Sequence, residues 1–229
     1  MKRFLVVSSL IVIFILIIVE ALTFFRQYTS FSKVITDTSC KPPCWQKIQP
    51  GETTVWEAVS ILDKTQYVSG ITQWDERYGS RIFWAFQYPV RESSGSIYCT
   101  DDTVIAISLL TNGSFSLAES LEYFGEPDYL WTGYKETSER HWLEVTLGYP
   151  TQGVFIRVDI ELSDETDRSL LAHMEANNPV GRVIYFDSTQ YDYLLDSRIL
   201  FTEDKQTILS RQQPWSGLGV ISYSHLMPN

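Results

Sequence analysis

The chain has 229 residues, of which 44% are hydrophobic and 20% charged, enough apolar material for one large domain or two small ones and too much for a disordered chain. Acidic residues outnumber basic ones 28 to 18, and the net charge of −10 argues against the clustered cations that nucleic-acid phosphates require. An aromatic content of 14% leans towards β-rich structure and contact surfaces.

Lys2 and Arg3 precede an apolar run from Phe4 to Phe25, with Arg26 directly after it. At 1.5 Å per residue a helix over this run spans roughly 33 Å, against a hydrocarbon core of about 30 Å. Residues 1–29 therefore read as a cytoplasmic stub and a transmembrane helix, with the lipid bilayer as partner through residues 4–25. Glu20, the one charge in the run, lies near its far end, where a carboxylate reaches the headgroup region. The two leading basic residues favour a cytoplasmic N-terminus in a single-pass cell-membrane protein. The alternative is a signal peptide, with Val19 and Ala21 as the small residues before a cut and a secreted product. Both readings export residues 30–229.

Residues 30–47 read as a polar linker carrying a cysteine pair, Cys40 and Cys44, in the sequence CKPPC. Export permits a disulfide, and a Cys40–Cys44 bridge would clip a short local loop and leave Cys99 as a buried free thiol. The alternative ties Cys40 or Cys44 to Cys99. CxxxC spacing is not the CxxC of redox motifs, and three cysteines without clustered histidines do not suggest zinc. No cofactor is expected.

Beyond the linker the chain reads as a duplication. Ile48, Gly51, Thr54, Glu57, Val59 and Leu62 correspond to Leu110, Gly113, Ser116, Glu119, Leu121 and Phe124, 62 positions later. Each glycine permits a turn into a helix, and Thr54-x-x-Glu57 and Ser116-x-x-Glu119 have the form of capping boxes. Apolar residues at helical spacing follow both, and Gly125 and Pro127 end the second helix. Strands are expected at 82–88, 96–99 and 103–110 after the first helix, and at 142–147, 154–162 and 182–186 after the second. Ile156, Val158, Ile160 and Leu162 alternate with Arg157, Asp159 and Glu161, the pattern of a half-buried antiparallel strand. Residues 164–178 suggest a helical insertion, 191–197 a short helix and 220–223 a strand. The expected fold is α+β: two helix-plus-antiparallel-strands repeats, 48–110 and 111–188, forming a sheet with helices on one face, then a C-terminal extension over 189–229.

The residues Ile48, Gly51, Thr54 and Glu57, then Leu110, Gly113, Ser116 and Glu119 with Gly125-Glu126-Pro127, resemble the pattern of BamE/SmpA-type bacterial envelope proteins. The resemblance covers about 16 residues per copy and implies a β-lactamase-inhibitor-protein-like domain in tandem, with helices packed on one face of an antiparallel sheet. The lipobox of those lipid-anchored proteins is absent before Cys40. The segment from Pro43 to Thr53 also looks like the start of other exported bacterial proteins.

Catalytic signatures are weak. His141 has no nucleophile elbow beside it, and a site built on it would need Asp101 or Asp128 brought close by the fold. His173 and His225 have no partner at metal-ligand spacing. Asp101-Asp102 and Asp164-Glu165-x-Asp167 read as acidic turns that lack the alternating oxygens of a calcium loop. Asn112-Gly113-Ser114 matches a glycosylation sequon within the repeat's own turn. Trp84, Phe86 and Tyr88 share one strand face, which is core if it meets the helices and a binding surface if it is open. The expected binding face comprises Trp84, Tyr88, Trp142, Arg157, Asp159 and Glu161. The expected function is a non-catalytic, membrane-anchored extracytoplasmic module that binds an envelope protein or polymer. The alternatives are an envelope hydrolase and a structural spacer.

Overall fold

The computed structural model describes residues 12–22, 32–36, 39–76, 79–87, 93–136, 140–162, 170–197, 200–201, 203–223 and 226. Helix α1, Val55–Asp63, and helix α2, Leu117–Phe124, both start on a capping box. The Thr54 hydroxyl accepts from the Glu57 N–H at 3.3 Å, while the Glu57 carboxylate accepts from the Thr54 N–H at 2.9 Å. Ser116 and Glu119 repeat the exchange at 3.2 and 2.8 Å. Two of the amides that a helix start leaves without intrahelical partners are satisfied each time. Gly51 and Gly113 enter these turns at φ 88° and 75°, a region costly to any residue with a Cβ. Backbone bonds then sew each helix start to the sheet. Val55 N–H donates to Asp102 O at 3.0 Å, and Leu117 N–H donates to Asn178 O at 2.9 Å.

The described residues form eleven strands, in chain order β1 Val68–Glu76, β2 Gly79–Phe86, β3 Ser94–Thr100, β4 Thr103–Leu110, β5 Tyr129–Glu136, β6 His141–Tyr149, β7 Val154–Leu162, β8 Leu171–Met174, β9 Val180–Phe186, β10 Gln213–Pro214 and β11 Gly219–Ser222. Nine of them form one antiparallel sheet in the order β1-β2-β3-β4-β9-β7-β6-β5-β10, and β8 and β11 make a separate ribbon. Asp101 and Asp102 turn the β3–β4 hairpin with φ 49° and 65°, the left-handed pair that a two-residue hairpin loop needs. That acidic pair is turn chemistry.

The first face of the sheet is the main core. Ile82, Trp84, Ile97, Ile107, Val145, Ile156, Val158 and Val183 pack there with Ala58 and Leu62 of α1 and Leu117 and Phe124 of α2. Side chains of this size contribute about 1.5–3 kcal/mol each when fully buried. Trp45 caps this face, its ring stacked 5.6 Å from that of Trp84. Its indole N–H donates to Val34 O at 2.8 Å, and the Tyr185 hydroxyl donates to Ile35 O at 2.8 Å. Val34 and Ile35, within the segment read as linker, are therefore buried. A Cys40–Cys44 disulfide, Cα atoms 5.7 Å apart, closes the loop that delivers Trp45, and Cys99 is a free, buried thiol.

The fold departs from the expected one in four respects. First, there is no two-repeat layout: four strands follow α1, and the later strands join the same continuous sheet, with β9 inserted between β4 and β7. The duplicated residues encode helix starts, and a capping box carries no information about how many strands follow or where they pair. Second, helices cover both faces. Helix α3, Tyr191–Asp196, and helix α4, Lys205–Ser210, bury Leu194, Leu195 and Ile208 on the second face against Trp131, Phe155, Ile184 and Phe186. Third, Leu171–Met174, expected to be helical, is strand β8 paired with β11; residues 163–169 lie outside the described residues. Its burial alternates, with Ala172 and Met174 in the core, a period of two and not of 3.6.

Fourth, the N-terminal transmembrane helix is not found. Among the described residues, no helix is long and apolar enough to cross a membrane. Residues 12–22 are helical, and eleven residues reach about 16 Å, half the thickness of a hydrocarbon core. The remainder of the apolar run lies outside the described residues.

Candidate functional site

Alternation along each strand sorts the second face into two halves. One half is the apolar patch under α3 and α4. The other is polar: Trp142, Glu144 and Thr146 on β6, Arg157, Asp159 and Glu161 on β7, and Arg182 on β9, while Arg81 on β2 lies beside Tyr98 at the margin of the apolar patch. Register brings these together. Arg157 lies directly opposite Arg182 on one side and Thr146 on the other, Glu144 opposes Asp159, and Trp142 opposes Glu161. A bulge after Arg157 places Gly181 beside Asp159, where a Cβ would fall 2.3 Å from the carboxylate oxygen. The missing side chain leaves room for that carboxylate.

Charges interlock across this surface. Arg157 Nη1 is 3.2 Å from Glu144 Oε2, and its Nε is 3.8 Å from Asp159 Oδ1. Lys135 also pairs with Glu144, and Arg140 pairs with Glu161 at 3.6 Å on the exposed rim. The Arg81 guanidinium lies over the rings of Phe83 and Tyr98, 4.1 and 4.5 Å from their centroids, a cation–π arrangement. Burial pulls the Arg182 pKa below its ordinary value, and the Arg157 and Arg81 charges pull the same way against Tyr98 and Glu144. Among the described residues, Arg157 Nε, Arg182 Nε and Thr146 Oγ1 are buried without a hydrogen-bond partner. The 3.8 Å approach of Asp159 is too long to be a hydrogen bond. A cavity of about 80 Å³ opens between this half of the face and the C-terminal segment, lined in part by Trp131, Lys135, Glu144, Arg157, Phe201 and Glu203.

Of the residues expected to form a binding face, Trp142, Arg157, Asp159 and Glu161 do share one face. Trp84 does not: it is 2% exposed and belongs to the first-face core. Its strand neighbours Ile82 and Phe86 point the same way into the helices and Trp45, so the shared aromatic stripe is packing. Tyr88 lies outside the described residues, as do His225 and Asp164-Glu165-x-Asp167. Sequence reading missed Glu144, Thr146 and Arg182. The first two were reachable, because alternation from Trp142 puts them on its face. Nothing in the sequence pairs Arg182 with Arg157, since that contact comes from the order of the strands.

The other candidates do not assemble. His141 Nδ1 is bonded to the Tyr134 hydroxyl. It pairs with Glu136 at the far end of β5 from Asp128, about 25 Å away along the strand. Asp101, at the end of β3, is four strand spacings from β6, roughly 19 Å. The carboxylate–histidine site of a hydrolase is therefore not formed. Among the described residues, no group of three His, Cys, Asp or Glu is placed to hold a metal. A wider groove of about 460 Å³ runs beside α1, lined by Lys47, Glu52, Glu57 and Trp56, and Trp56 is 79% exposed.

No family model and no curated protein matches the chain. Among solved structures it is similar to a cysteine-rich secretory protein from Staphylococcus aureus subsp. aureus Mu50, at 8% identity and a TM-score of 0.33. The similarity covers 68% of this chain and 49% of that one, so the chain spans about half that protein's length. At such a TM-score it carries no argument about function.

Proposed function

We propose that the chain is an exported, non-catalytic binding module whose ligand surface is the polar half of the second sheet face. The observation that carries this reading is the placement of Trp142, Glu144, Thr146, Arg157, Asp159 and Arg182 side by side beyond the edge of α3 and α4. A sheet face that served only as scaffold would need neither half-buried arginines nor a tryptophan among paired charges. Export is supported by the Cys40–Cys44 disulfide, a bond that persists in oxidising compartments. The apolar run over residues 4–25 supports retention at a membrane, with a secreted product as the alternative. The capping pattern shared with BamE/SmpA-type domains supports an envelope setting, and an envelope protein or polymer as partner.

Site-specific photo-crosslinking in producing cells tests the surface. A crosslinking residue at Glu161 on the second face is expected to give adducts that disappear in a Trp142→Ala background. The same residue at Glu52, beside α1, is expected to give none. Adducts at Glu52 alone, or equal labelling at both positions, would move the ligand surface elsewhere.

A further inference from the structure

We propose that the second sheet face binds a tetrahedral oxyanion of the phosphate or sulfate type between Arg157 and Arg182, with Thr146 completing the site; this rests on the reading of that face as the ligand surface. Arg157 and Arg182 stand directly opposite each other on β7 and β9. Like charges so placed repel and destabilise a strand pair. Arg157 is partly offset by Glu144 and Asp159, whereas Arg182 has no ion pair among the described residues. In a protein of net charge −10, such a pair of guanidinium groups is explained by a ligand that neutralises them.

The unsatisfied donors point the same way. Arg157 Nε and Arg182 Nε are both buried without a hydrogen-bond acceptor, and so is the hydroxyl of Thr146, a residue 1% exposed on the next strand. Buried donors without partners are costly, and water in their place would leave the repulsion between the guanidinium groups in force. An oxyanion accepts from all three and offsets that repulsion, using the fork geometry that suits arginine to phosphate. Charge balance favours an anion. Among the described side chains around the arginine pair, the cations Lys135, Arg157 and Arg182 stand against the carboxylates Glu144 and Asp159, which leaves a net positive charge. Arg140 and Glu161 cancel on the rim.

The test is isothermal calorimetry and thermal unfolding of the full-length, detergent-solubilised protein with sodium phosphate, sodium sulfate, phenyl phosphate and sodium chloride at matched low ionic strength. Phosphate or sulfate is expected to bind saturably and raise Tm while chloride does neither. Arg182→Gln and Arg157→Gln are each expected to weaken binding at least tenfold. Arg182→Lys, which keeps the charge and loses the fork, is expected to fall between them and the unmodified protein, and it also serves if the glutamine variants fail to fold. Lys64→Gln, at the C-cap of α1, is expected to bind normally. Phenyl phosphate binding as well as phosphate identifies an ester as the source; binding of the free ion alone identifies the inorganic anion. No ion-specific binding, or equal binding by Arg182→Lys and the unmodified protein, overturns the proposal. Loss of oxyanion binding with crosslinking at Glu161 intact would overturn the anion alone; loss of both would overturn the ligand surface.

Discussion

Gly95 stands on β3 beneath the indole of Trp84, where an added Cβ would lie 1.9 Å from Cζ2 of the ring. Trp84 has nowhere to go, because Trp45 is stacked on it and Phe86 meets it edge-on. Overpacking of this kind costs about 1–3 kcal/mol. Gly95→Ala is expected at the upper end, a Tm loss of about 6–12 °C by calorimetry, while Gly133→Ala, whose nearest neighbour is 4.0 Å away, should be close to neutral. Cys99 yields a second prediction at this scale. Burial, aided by Asp102, pushes its thiol from 9.0 to about 11 although a Ser80 hydrogen bond opposes this. At pH 8 about one thiol in a thousand is ionised, so native protein without reductant should resist iodoacetamide, take one label on unfolding, and take three when reduced as well. The raised value has a sign. Between pH 9 and 11 the folded state keeps a proton that the unfolded state has lost, so the stability present below pH 9 falls as pH rises. The urea midpoint should drop across that window, and less so in Cys99→Ala. That Cys99 is the thiol left out of the bridge was legible in the sequence from the short Cys40–Cys44 spacing; the ring under which Gly95 sits was not, because the two meet only through the β2–β3 register.

At the scale of elements, α1 and α2 have nine and eight residues, too short to persist alone in water. Their first turns depend on the capping boxes and on the backbone bonds to the sheet. Thr54→Ala and Ser116→Ala are each expected to cost about 1 kcal/mol in urea unfolding, and the double variant about the sum, since the two sites lie on separate parts of the fold. Both boxes were readable in the sequence because capping is local: four residues contain the whole interaction. The same locality explains the error over the repeat, for identical helix starts say nothing about the strands that follow. Strands β4 and β7 were equally legible, with dense apolar content and turns at both ends. β1 and β5 were not. Val68–Glu76 carries Gly70 and few core residues, and Tyr129–Glu136 carries Gly133 and Lys135 on its open face. Pairing with β2 and β6 decides both.

For the molecule as a whole, the Cys40–Cys44 bridge closes a loop only four positions long in sequence separation. Chain-entropy reasoning assigns so small a loop about 2 kcal/mol, well below the gain from a long loop. Cys40→Ser with Cys44→Ser should therefore lower Tm by roughly 4–8 °C and leave a cooperative transition, detectable in a thermal scan with matched reductant controls. Unfolding of the whole domain by the double change would mean that the Trp45 contact with Trp84 cannot form without the clip. The amino-acid pattern by itself determined the helix caps, the densest strands, the alternation that puts Arg157, Asp159 and Glu161 on one face, and the overall acidity, since each of these is written in neighbours a few residues apart. Tertiary structure alone decided that β9 enters between β4 and β7, that the C-terminal helices cover half of the second face, that Trp84 is core, and that Arg182 meets Arg157. Those outcomes depend on contacts between distant segments, where burial and strand pairing of the whole sheet select among arrangements that local sequence leaves equally open.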